Sequence, residues 1–259
     1  MKIKLGFGKN YAELEVEDSN LIGIIQPNTV NVQSSGLEEI KRAIKNPIGS
    51  KRLREIVSPD EKVVIITSDI TRPMPSKIVL PIVLEELFES GVQADHIKIV
   101  FALGSHRMHS EEEKRFLVGD DIYSQIECID SDINDCVHLG TTSNCTPVDI
   151  FKIVTQADRK ICLGNIEYHY FAGYSGGLKA IMPGVSTKQA IQINHSKMIM
   201  DWAKAGELDR NPVRQDIEEI ASFISVDFIL NVILDENKNI IKAVAGHYLE
   251  AHREGCKFL

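Results

Sequence analysis

The sequence predicts an α/β fold built on a mixed, largely parallel sheet with helices on both faces. Residues 62–67 and 97–103 are short runs rich in β-branched residues, as expected for strands buried on both sides. Segments with helical spacing separate these runs, and such alternation is typical of a sheet that helices cover on both faces. Polar turns follow three predicted strands, which places them at one edge of the sheet.

The first half of the chain is predicted to begin with a hairpin. Residues 2–7 and 11–16 alternate apolar and polar side chains around the turn Gly8-Lys9-Asn10. A helix over 37–57, interrupted at 46–49, precedes the strand at 62–67. A second helix over 76–90 contains Pro81 and ends at Gly91. The strand at 97–103 follows, and Ser110 with Glu113 forms a capping box that begins the next helix.

The second half continues the alternation of strands and helices. Short strands are predicted over 126–129, 148–153 and 160–163. A helix follows over 186–200 with Ser186 as its N-cap, and Asn211 with Pro212 begins another. Strands at 226–234 and 240–244 flank a polar turn, which indicates a hairpin. A last helix follows Gly246.

Composition limits the classes of function. The 259 residues are 43% hydrophobic and carry a net charge of −8, which argues against a nucleic-acid-binding protein. Five cysteines without a C-x-x-C pair do not predict a disulfide framework. Met1 leads directly into a strand-like segment rather than a signal peptide, and no apolar run is long enough to span a bilayer. We therefore expect a cytoplasmic protein that binds neither nucleic acid nor membrane.

The most informative segment, residues 164–186, reads GNIEYHYFAGYSGGLKAIMPGVS. Its glycines can turn backbone N–H groups toward an anion, and Lys179 can pair with phosphate or act as a covalent anchor. It is not a Walker A loop, because Ala180 follows the lysine. His169 stands between Tyr168 and Tyr170, where an aromatic surround would keep it neutral and able to accept a proton. A packed histidine and a solvated lysine are the alternatives.

Two further turns have similar character. Residues 68–73, SDITRP, contain Arg72, whose forked guanidinium could bind phosphate or carboxylate. Asp69 could orient Arg72 or bind a hydroxyl. An ordinary surface ion pair is the alternative. Residues 103–107, LGSHR, place His106 in a turn after a strand, which makes it a functional candidate. His109 is interpreted as a solvated residue before a helix. His195 lies inside a predicted helix, and its position alone favours a packing or surface role.

With these motifs in this order, and a histidine sixteen residues after the lysine, the chain resembles the nickel-dependent lactate racemase family. The resemblance covers nearly the whole chain and corresponds to the family's N-terminal domain. It implies one cofactor-binding catalytic domain over residues 1–259, without the family's C-terminal domain. It also implies nickel and a nickel-pincer nucleotide, a mononucleotide whose pyridinium ring carries thioamide or thiocarboxylate groups.

The resemblance implies a role for each matching residue. Lys179 matches the lysine that holds the cofactor, and His195 matches the protein ligand to nickel. Arg72 would orient the carboxylate of the substrate, while His106 and His169 match the two acid/base histidines. Further residues match segments that line the cofactor and substrate, namely Asp69, Thr71, Gly173, Tyr174, Ser175, Gly176 and Gly177.

The implied activity is racemisation or epimerisation of a small 2-hydroxy acid. By the resemblance, the cofactor's pyridinium would accept hydride from the substrate while a histidine removes the hydroxyl proton, and the planar 2-oxo acid could then take hydride back on either face. Because the family's second domain contributes to its site, we expect little turnover from this chain alone.

Two other functions stay open from the sequence. The chain could be a cofactor-binding or carrier module without turnover of its own. It could also be a zinc hydrolase that uses His106, His109 and His169, although it has no helical H-E-x-x-H pair.

Overall fold

The computed structural model describes residues 1–8, 10–25 and 34–259. The chain divides into two compact units, Met1–Asn31 and Val32–Leu259. None of the helices in these described ranges combines the length and the apolar character needed to cross a membrane.

The smaller unit contains the predicted hairpin. Strands β1 (Lys2–Phe7) and β2 (Asn10–Glu15) pair antiparallel, with Lys2 opposite Glu15. In the predicted turn between these strands, Gly8 has a φ of +58°, whereas Lys9 lies outside the described residues. Nearly all residues of both strands are exposed, so the alternation of apolar and polar residues does not lead to burial of one face.

The larger unit alternates strands and helices. Its strands are β3 (Val63–Ser68), β4 (Ile97–Ala102), β5 (Glu127–Asp130), β6 (Cys136–Thr141), β7 (Pro147–Phe151), β8 (Arg159–Asn165), β9 (Tyr168–His169), β10 (Gly173–Tyr174), β11 (Phe228–Leu234) and β12 (Ile240–Gly246). Its α-helices are α1 (Gly36–Lys45), α2 (Leu53–Ile56), α3 (Ser76–Glu89), α4 (Glu111–Val118), α5 (Asp120–Gln125), α6 (Lys152–Gln156), α7 (Lys188–Ser196), α8 (Pro212–Glu219) and α9 (Glu250–Cys256).

Six of these strands form the central sheet, in the order β12-β11-β8-β3-β4-β5. All neighbouring strands in it run parallel except β11 and β12, which form the predicted antiparallel hairpin. Successive residues of a strand point to opposite faces. Val63 and Ile65 of β3 therefore pack into one hydrophobic core, with α1 and α3, whereas Val64 and Ile66 pack into another, with α7 and α8. The predicted fold class is confirmed.

Several local predictions differ from the structure. The helix predicted over 37–57 is α1 followed by the single turn α2, because Ile48 leaves the helical path and its N–H donates to Ala245 of β12. Ser186 is not the N-cap of α7: Thr187 accepts the Ala190 N–H, while the Ser186 hydroxyl donates to the Ile181 carbonyl. Strand β6, which pairs antiparallel with β7, has no counterpart among the predicted strands.

Candidate active site

A cleft opens at the carboxyl ends of β3, β4 and β8, the edge where ligands bind in parallel sheets. The turns after these strands line it, together with the glycine-rich segment and α7. The expectation that the three polar turns meet at one edge of the sheet is therefore confirmed, and the cleft there brings together three imidazoles and one amine. Most predicted site residues line it, namely Asp69, Arg72, His106, His169, Ser175, Gly176, Gly177, Lys179 and His195.

Three predicted site residues do not line the cleft. The hydroxyl of Thr71 donates to the carboxylate of Asp69 at 3.0 Å. Gly173 and Tyr174 form β10, which pairs with β9, and the Tyr174 ring stacks on Tyr168 at 5.1 Å between centroids. The Thr71 hydroxyl also lies 3.3 Å from Nδ1 of His106, so Thr71 contacts cleft residues without lining the cleft itself.

His106 is oriented by a buried carboxylate. Its Nδ1 lies 2.8 Å from Oδ2 of Asp69, whose side chain is 3% exposed. A carboxylate only accepts hydrogen bonds, so Nδ1 carries the hydrogen and neutral His106 keeps its lone pair on Nε2. The Asp69 side chain thus serves His106 and Thr71; its contact with Arg72 is through the main chain, where the Arg72 N–H donates to the Asp69 carbonyl. Within the described ranges, the Arg72 side chain has no hydrogen-bond or ion-pair partner.

His109 is not solvated, contrary to the interpretation from sequence. Its side chain is 1% exposed and packs edge-on against Phe101. Its Nδ1 lies 2.7 Å from Oδ1 of Asp130, and its Nε2 accepts the Ile70 N–H at 3.1 Å. The residue looks like a surface histidine in the sequence because polar residues follow it, but its buried partner comes 21 residues later in the chain.

His169 is held neutral by its surroundings. Burial, as the largest cause, together with the positive charges of Lys179, Arg214 and Arg72 lowers its pKa to about 3. The aromatic ring that packs on it is Phe171, at 4.6 Å between centroids, rather than the flanking Tyr168 and Tyr170, which are exposed. Its Nδ1 accepts the Ala172 N–H at 3.2 Å, so the neutral ring carries its hydrogen on Nε2.

Lys179 lies in a short 3-10 helix, Gly177–Ala180, which begins at the second glycine of the Gly176-Gly177 pair. Burial, as the largest cause, together with the positive charges of Arg214 and Arg72 lowers the pKa of its amine to about 7. Among the described residues of the larger unit, the amine has no carboxylate or other hydrogen-bond partner. An amine of this kind is partly neutral near pH 7 and can act as a nucleophile.

The glycine-rich loop is held from beneath by residues that the sequence motifs did not indicate. Arg214 of α8 is fully buried and donates to the carbonyls of Ala172 and Tyr174. His252 of α9 lies with Nε2 2.8 Å from the Ser175 carbonyl. These helices are far from the loop in sequence, so no local pattern could have identified them.

Two glycines are required where the loop meets these supports. Gly176 and Gly177 have φ values of +75° and +59°, which side chains rarely adopt. A Cβ on Gly176 would lie 2.8 Å from Oδ1 of Asn231, and one on Gly177 would lie 2.9 Å from the ring of His252. The same Asn231 oxygen accepts the Gly177 N–H at 2.8 Å, which fixes the loop against β11.

His195 lies in the last turn of α7 and reaches the cleft beside Lys179. Burial lowers its pKa, and the charge of Lys179 adds to the decrease. Its Nδ1 is buried without a hydrogen bond of standard geometry, although the Ile191 carbonyl one turn earlier weakly opposes the decrease in pKa. A neutral imidazole with a ring nitrogen that makes no internal hydrogen bond is suited to bind a metal.

A zinc centre made only of protein side chains has no ligand set here. In the part of the chain that the structure describes, no three His, Cys, Asp or Glu side chains come close enough to hold one ion. His109, one of the three histidines considered for a zinc hydrolase, is turned away to Asp130. The zinc-hydrolase alternative therefore loses its support.

A comparison with known families finds a match over most of the chain. The sequence model described as "Lactate racemase N-terminal domain" matches residues 7–206. Two curated proteins named lactate racemase, from Thermoanaerobacterium thermosaccharolyticum and Lactiplantibacillus plantarum, are each 36% identical over 264 residues. Each alignment covers 99% of this chain but 62% of the relative, so the chain spans less than two thirds of their length.

Solved structures agree with this result. The lactate racemase apoprotein from T. thermosaccharolyticum superposes with a TM-score of 0.88 at 34% identity, covering 100% of this chain and 62% of that chain. A protein from Thermotoga maritima superposes with a TM-score of 0.71 at 21% identity, covering 86% of this chain and 58% of the other. The second likeness shows the fold alone.

Proposed function

Because this chain belongs to the lactate racemase N-terminal domain family, we propose that residues 1–259 form the N-terminal, cofactor-binding catalytic part of an isomerase. Its reaction would be racemisation or epimerisation of a small 2-hydroxy acid, with lactate as the first candidate. The observation that carries the proposal is that His106, His169, Lys179 and His195 line one cleft together with Arg72.

The residues fit nickel and a nickel-pincer nucleotide. His195 offers an imidazole that its surroundings keep neutral, and one buried nitrogen of its ring has no partner of standard geometry. Lys179 offers a partly neutral amine beside a glycine turn, suited to hold the nucleotide covalently or by charge. We assign His195 to the metal and Lys179 to the nucleotide. When bound, this group supplies the hydride acceptor for the reaction.

The chain's own groups handle the substrate's charge and proton. Arg72 is the forked cation of the cleft and would bind the carboxylate of the 2-hydroxy acid. Nε2 of His106 has a free lone pair and would take the hydroxyl proton, while Asp69 stabilises the imidazolium that forms.

His169 is the second residue of the acid/base pair, and its Nε2 carries a hydrogen where Nε2 of His106 carries a lone pair. Its neutral ring presents an Nε2–H, so it donates a hydrogen bond to a substrate oxygen. Reaction in both directions requires the two histidines to exchange roles. For His169 to accept a proton at Nε2, the Ala172 N–H must release its Nδ1.

The experiment is a racemase assay on cofactor-loaded protein. The chain is produced with nickel and the enzymes that make the nucleotide, and conversion of L- to D-lactate is followed by chiral chromatography. We expect slow conversion by the wild-type chain, and we expect His106→Gln to lower that rate by about 100-fold or more, the usual contribution of acid/base catalysis. His138→Gln is the matched control, because His138 lies on β6, outside the cleft.

Three results would change the assignment. Retained nickel without interconversion of lactate would favour the carrier module. Fast turnover by the chain alone would contradict the expectation of little activity without the family's second domain. Equal rates for the two variants would remove His106 from the mechanism.

We also propose a reducing, cytoplasmic location. All five cysteines are free thiols, and burial raises the pKa of Cys128 and Cys256 to about 12, which makes them unreactive.

A further inference from the structure

A second imidazole–carboxylate pair lies behind the first. Asp130, at the end of β5, is fully buried and receives two hydrogen bonds from one residue: the main-chain N–H of His109 at 2.9 Å and its Nδ1 at 2.7 Å. The ammonium of Lys114 lies 3.5 Å from the same carboxylate. Because one carboxylate binds both the main-chain N–H and the ring of His109, and because Asp130 belongs to β5, the central sheet fixes the orientation of that ring.

This arrangement also fixes the tautomer of His109. Its Nε2 accepts the Ile70 N–H at 3.1 Å, so that nitrogen must hold a lone pair. The hydrogen therefore sits on Nδ1 and is donated to Asp130. A protonated ring, or the other tautomer, would place two hydrogens against each other at Ile70.

The Ile70 N–H belongs to the peptide directly after Asp69. The hydrogen bond to this N–H fixes the plane of the Asp69–Ile70 peptide. The Cα of Asp69 lies at one end of that plane and carries the side chain whose carboxylate binds Nδ1 of His106. The same turn continues to Arg72, whose N–H donates to the Asp69 carbonyl at 3.1 Å. One buried contact thus supports both the candidate base and the candidate carboxylate-binding cation.

We propose that His109, held by Asp130, is a positioning residue that fixes the Asp69–Arg72 turn and thereby the orientation of His106. The polar atoms of His109 bind Asp130 and the Ile70 N–H, neither of which lines the cleft. Any effect of His109 on the cleft therefore acts through the Ile70 N–H. The inference rests on the proposed function for its catalytic consequence, while the effect on His106 can be measured without cofactor.

The test compares His109→Leu with His109→Gln in the full chain. Leucine fills the space but accepts nothing from Ile70. Glutamine carries an acceptor and a donor on one carbon, as the imidazole does, and should rescue. Long-range proton–nitrogen spectra of histidine-labelled protein report the tautomer of each ring, and His106→Gln assigns the signals of His106.

We expect His106 to be the Nδ1–H tautomer in the wild type and in His109→Gln, and a mixture of tautomers in His109→Leu. In wild-type spectra His109 itself must also be the Nδ1–H tautomer; an Nε2–H signal would overturn the proposal. So would a folded His109→Leu protein with the wild-type His106 signals. If leucine prevents folding, Asp130→Asn gives the same test, because a single acceptor then faces two donors.

In cofactor-loaded protein, the loss of orientation should appear in kcat. We expect His109→Leu to lower kcat by about 100-fold and to raise KM, because Arg72 lies in the same turn as Asp69. His109→Gln should restore most of both. The spectra decide the role of His109 whether or not the chain converts lactate, whereas a wild-type chain that retains neither nickel nor the nucleotide would be a failure of the proposed function alone. Equal losses of kcat in both variants would contradict a role based on the hydrogen bonds.

Discussion

The lowered pKa of Lys179 can be measured without any cofactor. The perturbation is pH, and the readout is the rate at which Lys179 reacts with an amine-acylating reagent in short pulses, followed by digestion and mass spectrometry. At pH 7 an amine with a pKa of about 7 is half neutral, whereas a lysine at the ordinary value of 10.5 is neutral in roughly one molecule in 3,000. We therefore predict a labelling midpoint near pH 7.

Controls separate the fold from the reagent. In denaturant the midpoint of Lys179 should return to the ordinary value of 10.5. The exposed Lys41 provides an internal reference for the reagent in every sample. Arg214→Met should raise the midpoint by only part of the full difference, because burial is the larger cause and the Arg214 charge the second. A midpoint above pH 9 in the folded wild type would refute the argument from burial.

Three further outcomes are expected. His195→Ala should lose nickel from protein purified with the cofactor, as measured by elemental analysis; retained nickel would show that the ligand is another residue. Burial lowers the pKa of His252 to about 3, so the unfolded chain binds a proton below pH 6.5 that the folded chain does not. Its contribution to stability therefore decreases as pH falls. In denaturant titrations, the unfolding free energy of His252→Gln should fall by about 2 kcal/mol less between pH 7 and pH 5 than that of the wild type. An equal fall in both proteins would contradict this. Gly177→Ala should lower the unfolding free energy by about 1–3 kcal/mol because of its positive φ and the His252 ring, whereas Gly6→Ala, with no atom within 4 Å of the added Cβ, should have no such effect.

Much of the fold could be predicted because its signals are local. The β-branched runs of β3 and β4 are buried on both faces, and this pattern needs no knowledge of neighbours. The turns after parallel strands meet at one edge by geometry alone, which is why Asp69, His106 and Lys179 could be placed together. The role of His195 as the metal ligand came only from the family resemblance, and it stays a prediction, as does the cofactor-holding role of Lys179.

The missed features depend on contacts between distant residues. Arg214 and His252 hold the glycine loop from helices that follow it by dozens of residues, and nothing in their own segments marks them. His109 was misjudged because its neighbours are polar, while its burial depends on Asp130 of another strand. Strand β6 was missed because it is largely exposed and shows no buried alternation.

The central claim is that this one cleft holds the nickel-containing nucleotide. Elemental analysis of the chain, made with nickel and the nucleotide-producing enzymes and passed through gel filtration, tests it most directly. We predict equimolar nickel and phosphorus bound to the wild type and to Lys41→Ala, and a loss of both elements in Lys179→Ala. Nickel and phosphorus retained equally by Lys179→Ala, or absent from the wild type, would contradict the account.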